Sequence, residues 1–127
     1  MNTDRTGKPS SHSLGKHYED MATLYYQGLG YDVLERNWRA KRFEIDLIVE
    51  NQTEIIFVEV KGGRPDYMGH PVHRVDKRKQ ERLLQAAETY LSVTPCGRKD
   101  VRFDVLTVSD TSSGQEIERF ENAFEKP

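Results

Sequence analysis

A chain of 127 residues with 35% hydrophobic content is large enough for one domain around one core, and too short for two ordinary ones. Its net charge of −2 excludes a generally basic nucleic-acid binder. No apolar run approaches the roughly 20 residues a membrane helix needs, and the polar start, Met1 to Ser13, lacks a signal-peptide segment.

Residues 1–13 are expected to form a disordered lead-in and residues 14–125 a single domain. Helical spacing of Tyr18, Met21, Ala22 and Tyr25 predicts a first helix from about Leu14 to Gln27, with Ser13 as its cap and Gly28 and Gly30 as its stop. Tyr31 to Arg36 is a loosely alternating strand. Two further strands, Phe43 to Val49 and Ile55 to Lys61, form a hairpin around Asn51 to Glu54. With Glu50 opposite Ile55, one face carries Phe43, Ile45, Leu47, Val49, Ile56, Val58 and Val60, all apolar. On the other face Asp46 meets Glu59 and Glu44 meets Lys61. A slip of one residue would mix the two sets.

Gly62 to Val75, with two prolines and three glycines, is a long loop of the kind that carries function. A second helix follows from Asp76, its cap, to about Ser92, with basic first turns and Leu83, Leu84, Ala87, Tyr90 and Leu91 facing inward. Val101 to Val108 is a fourth strand, and Ile117 to Phe124 a short final edge strand. The single cysteine, Cys96, forbids an internal disulfide and suits a reducing cytoplasm. The fold class is α/β, a mixed β-sheet flanked by helices in the order α-β-β-β-α-β.

Chemistry concentrates at the end of the hairpin. Glu59 and Lys61 project from one face of their strand, and the register opposes Glu59 to Asp46. Like charges directly opposed are unfavourable, and a divalent cation between them turns repulsion into binding. Mg²⁺, with hard oxygen ligands and much of its shell left to water and phosphate, suits such a pair; Mn²⁺ is the alternative. Lys61 could orient the attacking water or stabilise charge on the phosphorane. Basic clusters flank the pair: Arg36, Arg39, Lys41 and Arg42 before it, and Arg74, Lys77, Arg78, Lys79 and Arg82 after it. Arg64 and Arg74 make the long loop a candidate clamp on nucleic acid, while Arg78, Lys79 and Gln80 open a helix that can hold phosphate. Trp38 is either a base-stacking platform or core packing. His70, His73 and Cys96 lack zinc spacing.

The segments Glu44-Ile45-Asp46-Leu47-Ile48, Phe57-Val58-Glu59-Val60-Lys61, Val75-Asp76-x-Arg78-Lys79-Gln80 and Arg102-Phe103-Asp104-Val105 resemble the YraN-like family (UPF0102). Gly15-x-x-x-Glu19 before Gly30-Tyr31, and Glu121-Asn122-Ala123-Phe124, match it as well, so the resemblance spans about residues 14 to 125. It implies a restriction-endonuclease-like core of the PD-(D/E)xK type, distantly similar to Holliday-junction resolvases. Asp46, Glu59 and Lys61 carry over to the three signature positions. Glu19 matches an acid that completes such sites, and the Val60 carbonyl becomes a further metal ligand. Phe43 stands where such proteins commonly have glycine, and Gly63 where an arginine is frequent. The implied function is metal-dependent endonucleolytic hydrolysis of DNA, including branched DNA, for which a homodimer would supply two active sites. The alternatives are a nucleic-acid-binding module without catalysis and a protein-interaction domain.

Overall fold

The computed structural model describes residues 11–63, 76–95 and 97–123. Seven elements follow in chain order: helix α1 (Ser11–Gly28), strands β1 (Asp32–Ala40), β2 (Phe43–Glu50) and β3 (Glu54–Gly63), helix α2 (Lys77–Val93), and strands β4 (Asp100–Thr111) and β5 (Gly114–Phe120). The strands form one mixed sheet in the order β1-β2-β3-β4-β5. Only the β3–β4 pair is parallel, the two strands being joined through α2; the other neighbours are antiparallel. Among the described residues no helix is long and apolar enough to cross a membrane.

The central strand explains its own sequence. β3 is covered on both faces, which is why Ile55-Ile56-Phe57-Val58 is a continuous apolar run rather than an alternating one. Ile55 and Phe57 join Ile48, Phe103, Val105 and the α2 residues Leu83, Ala86, Ala87 and Tyr90. Ile56 and Val58 join Leu47, Val49, Leu106 and the α1 residues Ala22 and Tyr26. The face opposite the acids is therefore apolar, as the hairpin pattern requires, but the acids' own face is also apolar beyond its end. Ile45 departs from the expected set. It packs with the α2-side cluster, whereas Leu47 and Val49 pack on the α1 side. Strand alternation thus breaks at Asp46.

The hairpin register agrees with the sequence pattern from Glu50–Ile55 to Leu47–Val58, where the ladder stops. Asn51 sets this register. Its side-chain oxygen accepts the N–H groups of Thr53 and Glu54 at 3.0 and 2.9 Å, an Asx turn that closes the loop.

Helix α1 begins at Ser11, so Ser13 lies inside it rather than capping it, and the expected lead-in loses its last three residues to the helix; residues 1–10 are outside the described set. Its buried tyrosine is Tyr26, while Tyr25 is only half-buried. β1 runs on to Ala40, past the predicted end at Arg36. Asp76 caps α2 by accepting the Lys79 N–H at 2.8 Å. Trp38 meets Tyr90 edge to face at 5.2 Å between ring centres and packs against the α2-side core, half-buried. Gly62 and Gly63 extend β3 instead of opening the loop; the remainder of that loop lies outside the described residues.

A buried polar cluster ties the ends of the domain together. Asp104 is fully buried and accepts four donors: Tyr26 Oη, Arg102 Nε and Nη2, and the Asn122 N–H, at 2.8, 2.8, 3.0 and 3.1 Å. Arg102 also reaches Glu54, itself bonded to Tyr31. The Ala123 N–H bonds the Phe103 carbonyl at 2.8 Å. The Arg-Phe-Asp-Val and Glu-Asn-Ala segments are thus a clamp joining α1, β4 and the chain's C-terminal turn.

Candidate active site

Beyond Leu47–Val58 the β2 and β3 backbones no longer pair, and the Asp46 carboxylate takes over, its Oδ2 accepting the Val60 N–H at 2.9 Å. Asp46 and Glu59 are therefore not a ladder pair as the extrapolated register expects. They are neighbours across an opened ladder, close enough for the Glu59 charge to act on Asp46. Glu44 does not meet Lys61 either: it pairs with Arg39 at 3.4 Å. Ladder polarity is lost where the chemistry begins.

Glu59 is only 5% exposed and is held by two lysines on the same oxygen, Lys79 Nζ at 3.0 Å and Lys61 Nζ at 3.6 Å. Asp46 has no cationic side chain within salt-bridge distance among the described residues. Burial, then the charge of Glu59, push its carboxyl up to about 7, against the Val60 N–H that favours the ionised form. Lys79 is held above the ordinary lysine range by Glu59, against the opposing effect of its own desolvation. Together with Arg42, Phe43, Glu44, Arg82 and Leu83, these two acids and Lys79 line a cleft of about 190 Å³ between the sheet end and α2. Phe43 is thus a wall of this cleft.

Glu19 sits on α1 and lines a neighbouring cleft of about 520 Å³ with Lys16, Arg36, Asn37 and Arg39; Glu44 borders both clefts. Its charge still reaches Asp46 and opposes ionisation there. Asn37 holds it in place, donating from Nδ2 to Glu19 Oε1 at 2.9 Å. Asn37 also adopts a left-handed backbone, φ 51°, in the middle of β1. Its neighbours Arg36 and Trp38 pair with Leu47 and Ile45, so the break falls beside Asp46. Non-glycine residues tolerate this region at a cost, and asparagine is among those that tolerate it best. Sequence reasoning passed over Asn37 because an asparagine inside a strand has no distinctive spacing.

A second close approach lies next to Lys61. A Cβ added at Gly62 would come within 2.0 Å of the Tyr18 ring, and the Tyr18 hydroxyl is anchored on Asp110 Oδ2 at 2.6 Å. Only glycine lets α1 lie this close to the end of β3.

The remaining candidates divide. Lys79, assigned from sequence to phosphate contact, stands inside the acid cluster. Arg78 is exposed and does not line the cleft; Gln80 is half-buried, and its N–H closes the first turn of α2 on the Asp76 carbonyl at 2.9 Å. Arg64 and Arg74 lie outside the described residues. Of the first basic cluster, Arg36 is committed to Asp20 at 2.6 Å, leaving Arg42 at the cleft.

Two hard carboxylates, one without a cationic partner, are a donor set that fits a divalent cation. The acids are not gathered into a finished cage: among the described residues no three His, Cys, Asp or Glu side chains converge on one point. Glu19 in particular is turned to Asn37.

The model of the uncharacterised protein family UPF0102 matches residues 18–108. A UPF0102 protein of Sulfurihydrogenibium is 37% identical over 110 residues, covering 87% of this chain and 92% of that protein. One from Syntrophus aciditrophicus is 40% identical over 87% of each chain, and one from Pseudomonas aeruginosa is 35% identical over 94% of this chain and 98% of its own. The matched span runs from within α1 to Val108 in β4 and takes in every residue lining the cleft; the chain belongs to the UPF0102 family.

Proposed function

We propose that the protein is a divalent-metal-dependent nuclease hydrolysing DNA phosphodiesters, built on a restriction-endonuclease-like PD-(D/E)xK core. One observation carries this reading: a half-buried carboxylate, Asp46, faces a buried one, Glu59, beside Lys61, in a cleft rimmed by arginines. Burial of like charges costs stability and persists where it serves a site.

Asp46, Glu59, the Val60 carbonyl and Glu19 would hold the metal, which when bound supplies Lewis-acid stabilisation of phosphoryl charge and an acidified water. The Val60 N–H fixes the Asp46 carboxylate so that one oxygen is committed to the backbone and the other is left for the site. Lys61, on the strand beside Glu59, places its ammonium where negative charge on non-bridging phosphate oxygens develops. Arg42 and Arg82 neutralise the flanking backbone without reading sequence.

The test is cleavage of end-labelled single-stranded, duplex, flap and four-way-junction DNA in Mg²⁺ or Mn²⁺. The wild-type protein should cut at least one of them, and Lys61→Ala should lose about 10²-fold or more. Failure of the wild type on all four, or equal cutting by the variant, would refute the nuclease.

A nucleic-acid-binding module without catalysis is the second reading. The 3.0 Å contact of Lys79 with Glu59 favours it, since a lysine already neutralises that acid. It predicts salt-sensitive DNA binding that survives both Asp46→Ala and Lys61→Ala.

A further inference from the structure

Two lysines share Glu59 Oε1, yet they differ in origin and freedom. Lys61 is two residues along the same strand, 26% exposed, and its position follows from the β3 backbone. Lys79 comes from another element, the first turn of α2, and is 44% exposed while making the shorter contact at 3.0 Å. Its backbone is pinned by the Asp76 cap, and its side chain lines the same cleft as Arg42 and Arg82 and reaches Glu59. The Lys79 charge also acts on Asp46, in the sense opposite to that of Glu59. One ammonium therefore sits directly on Glu59, and its charge is also felt at Asp46.

We propose that Lys79 is a displaceable occupant of the cation seat at Asp46 and Glu59, competing with a divalent metal for Glu59 and, once displaced, contacting a backbone phosphate of bound nucleic acid. This rests on the reading of the acid pair as a metal seat. Metal loading then exchanges one neutralising charge for another, and the released ammonium joins Arg42 and Arg82 at the mouth. The metal-free acids are thus never left unopposed, and the cation the substrate needs is delivered only when the metal is in place.

Calorimetric titration of the full chain with Mn²⁺ or Mg²⁺ alone separates the outcomes. Lys79→Met should bind metal about tenfold more tightly than wild type or better, and Lys61→Met should show no such gain. Lys79→Gln, which keeps a donor for Glu59 but loses the charge, should also tighten binding and guards against a Lys79→Met chain that does not fold. Unchanged or weaker affinity in a folded Lys79 variant, with metal bound by the wild type, overturns the competition alone. Absence of binding in all variants overturns both the competition and the metal seat. For the phosphate step, the salt dependence of duplex-DNA binding is compared with and without Ca²⁺. The wild-type slope should steepen by about one unit with the cation and the Lys79→Met slope should not; equal slopes overturn that step.

Discussion

Asp46 and Asp104 are both acids on interior strands, the first half-buried and the second fully buried, and their surroundings are opposite. Asp104 accepts four donors from three elements and a guanidinium holds it bidentately. A carboxylate has about four acceptor sites, so it is saturated. Asp46 accepts one N–H among the described residues and faces another acid. The first arrangement stabilises the fold, since removing either partner strands a buried charge. The second leaves a repulsion between like charges that a divalent cation seated there would relieve. Burial alone does not mark a site acid: Asp104 is the more buried and the better satisfied of the two.

That contrast can be broken from either side. The largest effect is expected for Asp104→Ala, which takes the shared acceptor from Arg102, Tyr26 and the Asn122 N–H and should cost about 3–5 kcal/mol in urea unfolding. A loss under about 1 kcal/mol would make Asp104 no clamp at all. Asp46→Asn should act in the other direction. The folded chain holds the Asp46 carboxyl up to about 7, above its unfolded value, so its stabilising share is full at acid pH and lost as pH rises towards and through neutrality. The asparagine variant escapes that loss and should be more stable than wild type by about 2 kcal/mol or more at pH 8, with the gap closing near pH 4. A pH-independent difference would remove the acid–acid repulsion from the account.

A smaller change is predicted beside the site. Gly62→Ala drives a methyl into the Tyr18 ring and should cost about 1–3 kcal/mol by thermal or urea melts, and Tyr18→Ala in the same chain should recover part of it. The smallest stability effect belongs to Asn37→Gly. Glycine accepts the left-handed backbone without strain, so stability should stay within about 1 kcal/mol of wild type. Glu19 nevertheless loses its hydrogen bond, and any cleavage that depends on Glu19 should fall, with Glu19→Gln adding little further.

Much of this was legible because β-structure has a period of two. The apolar pattern of Phe43–Val49 and Ile55–Val60 fixed the hairpin register, and Asn51 with Asp76 marked a turn and a helix start by their side-chain chemistry. The same periodicity misplaced Ile45 and the Asp46–Glu59 opposition, because it extrapolated a regular ladder through the point where pairing stops. Lys79 was grouped with exposed basic residues; only the seating of α2 against the sheet turns it onto Glu59. Glu19 was placed by resemblance, but the residue that holds it, Asn37, depends on a backbone conformation no spacing announces. The Arg-Phe-Asp-Val segment was noticed as a motif, while its role required the distant partners Tyr26 and Asn122.

The central claim is that Asp46 and Glu59 form a seat for a divalent cation, and thermal melts at pH 8 with and without Mg²⁺ test it most directly. A ligand that binds only the folded state raises its melting temperature. The account predicts that Mg²⁺ raises the melting temperature of the wild type in a concentration-dependent way and leaves Asp46→Asn nearly unmoved. A wild-type melt indifferent to Mg²⁺, or an equal rise in both proteins, would contradict it.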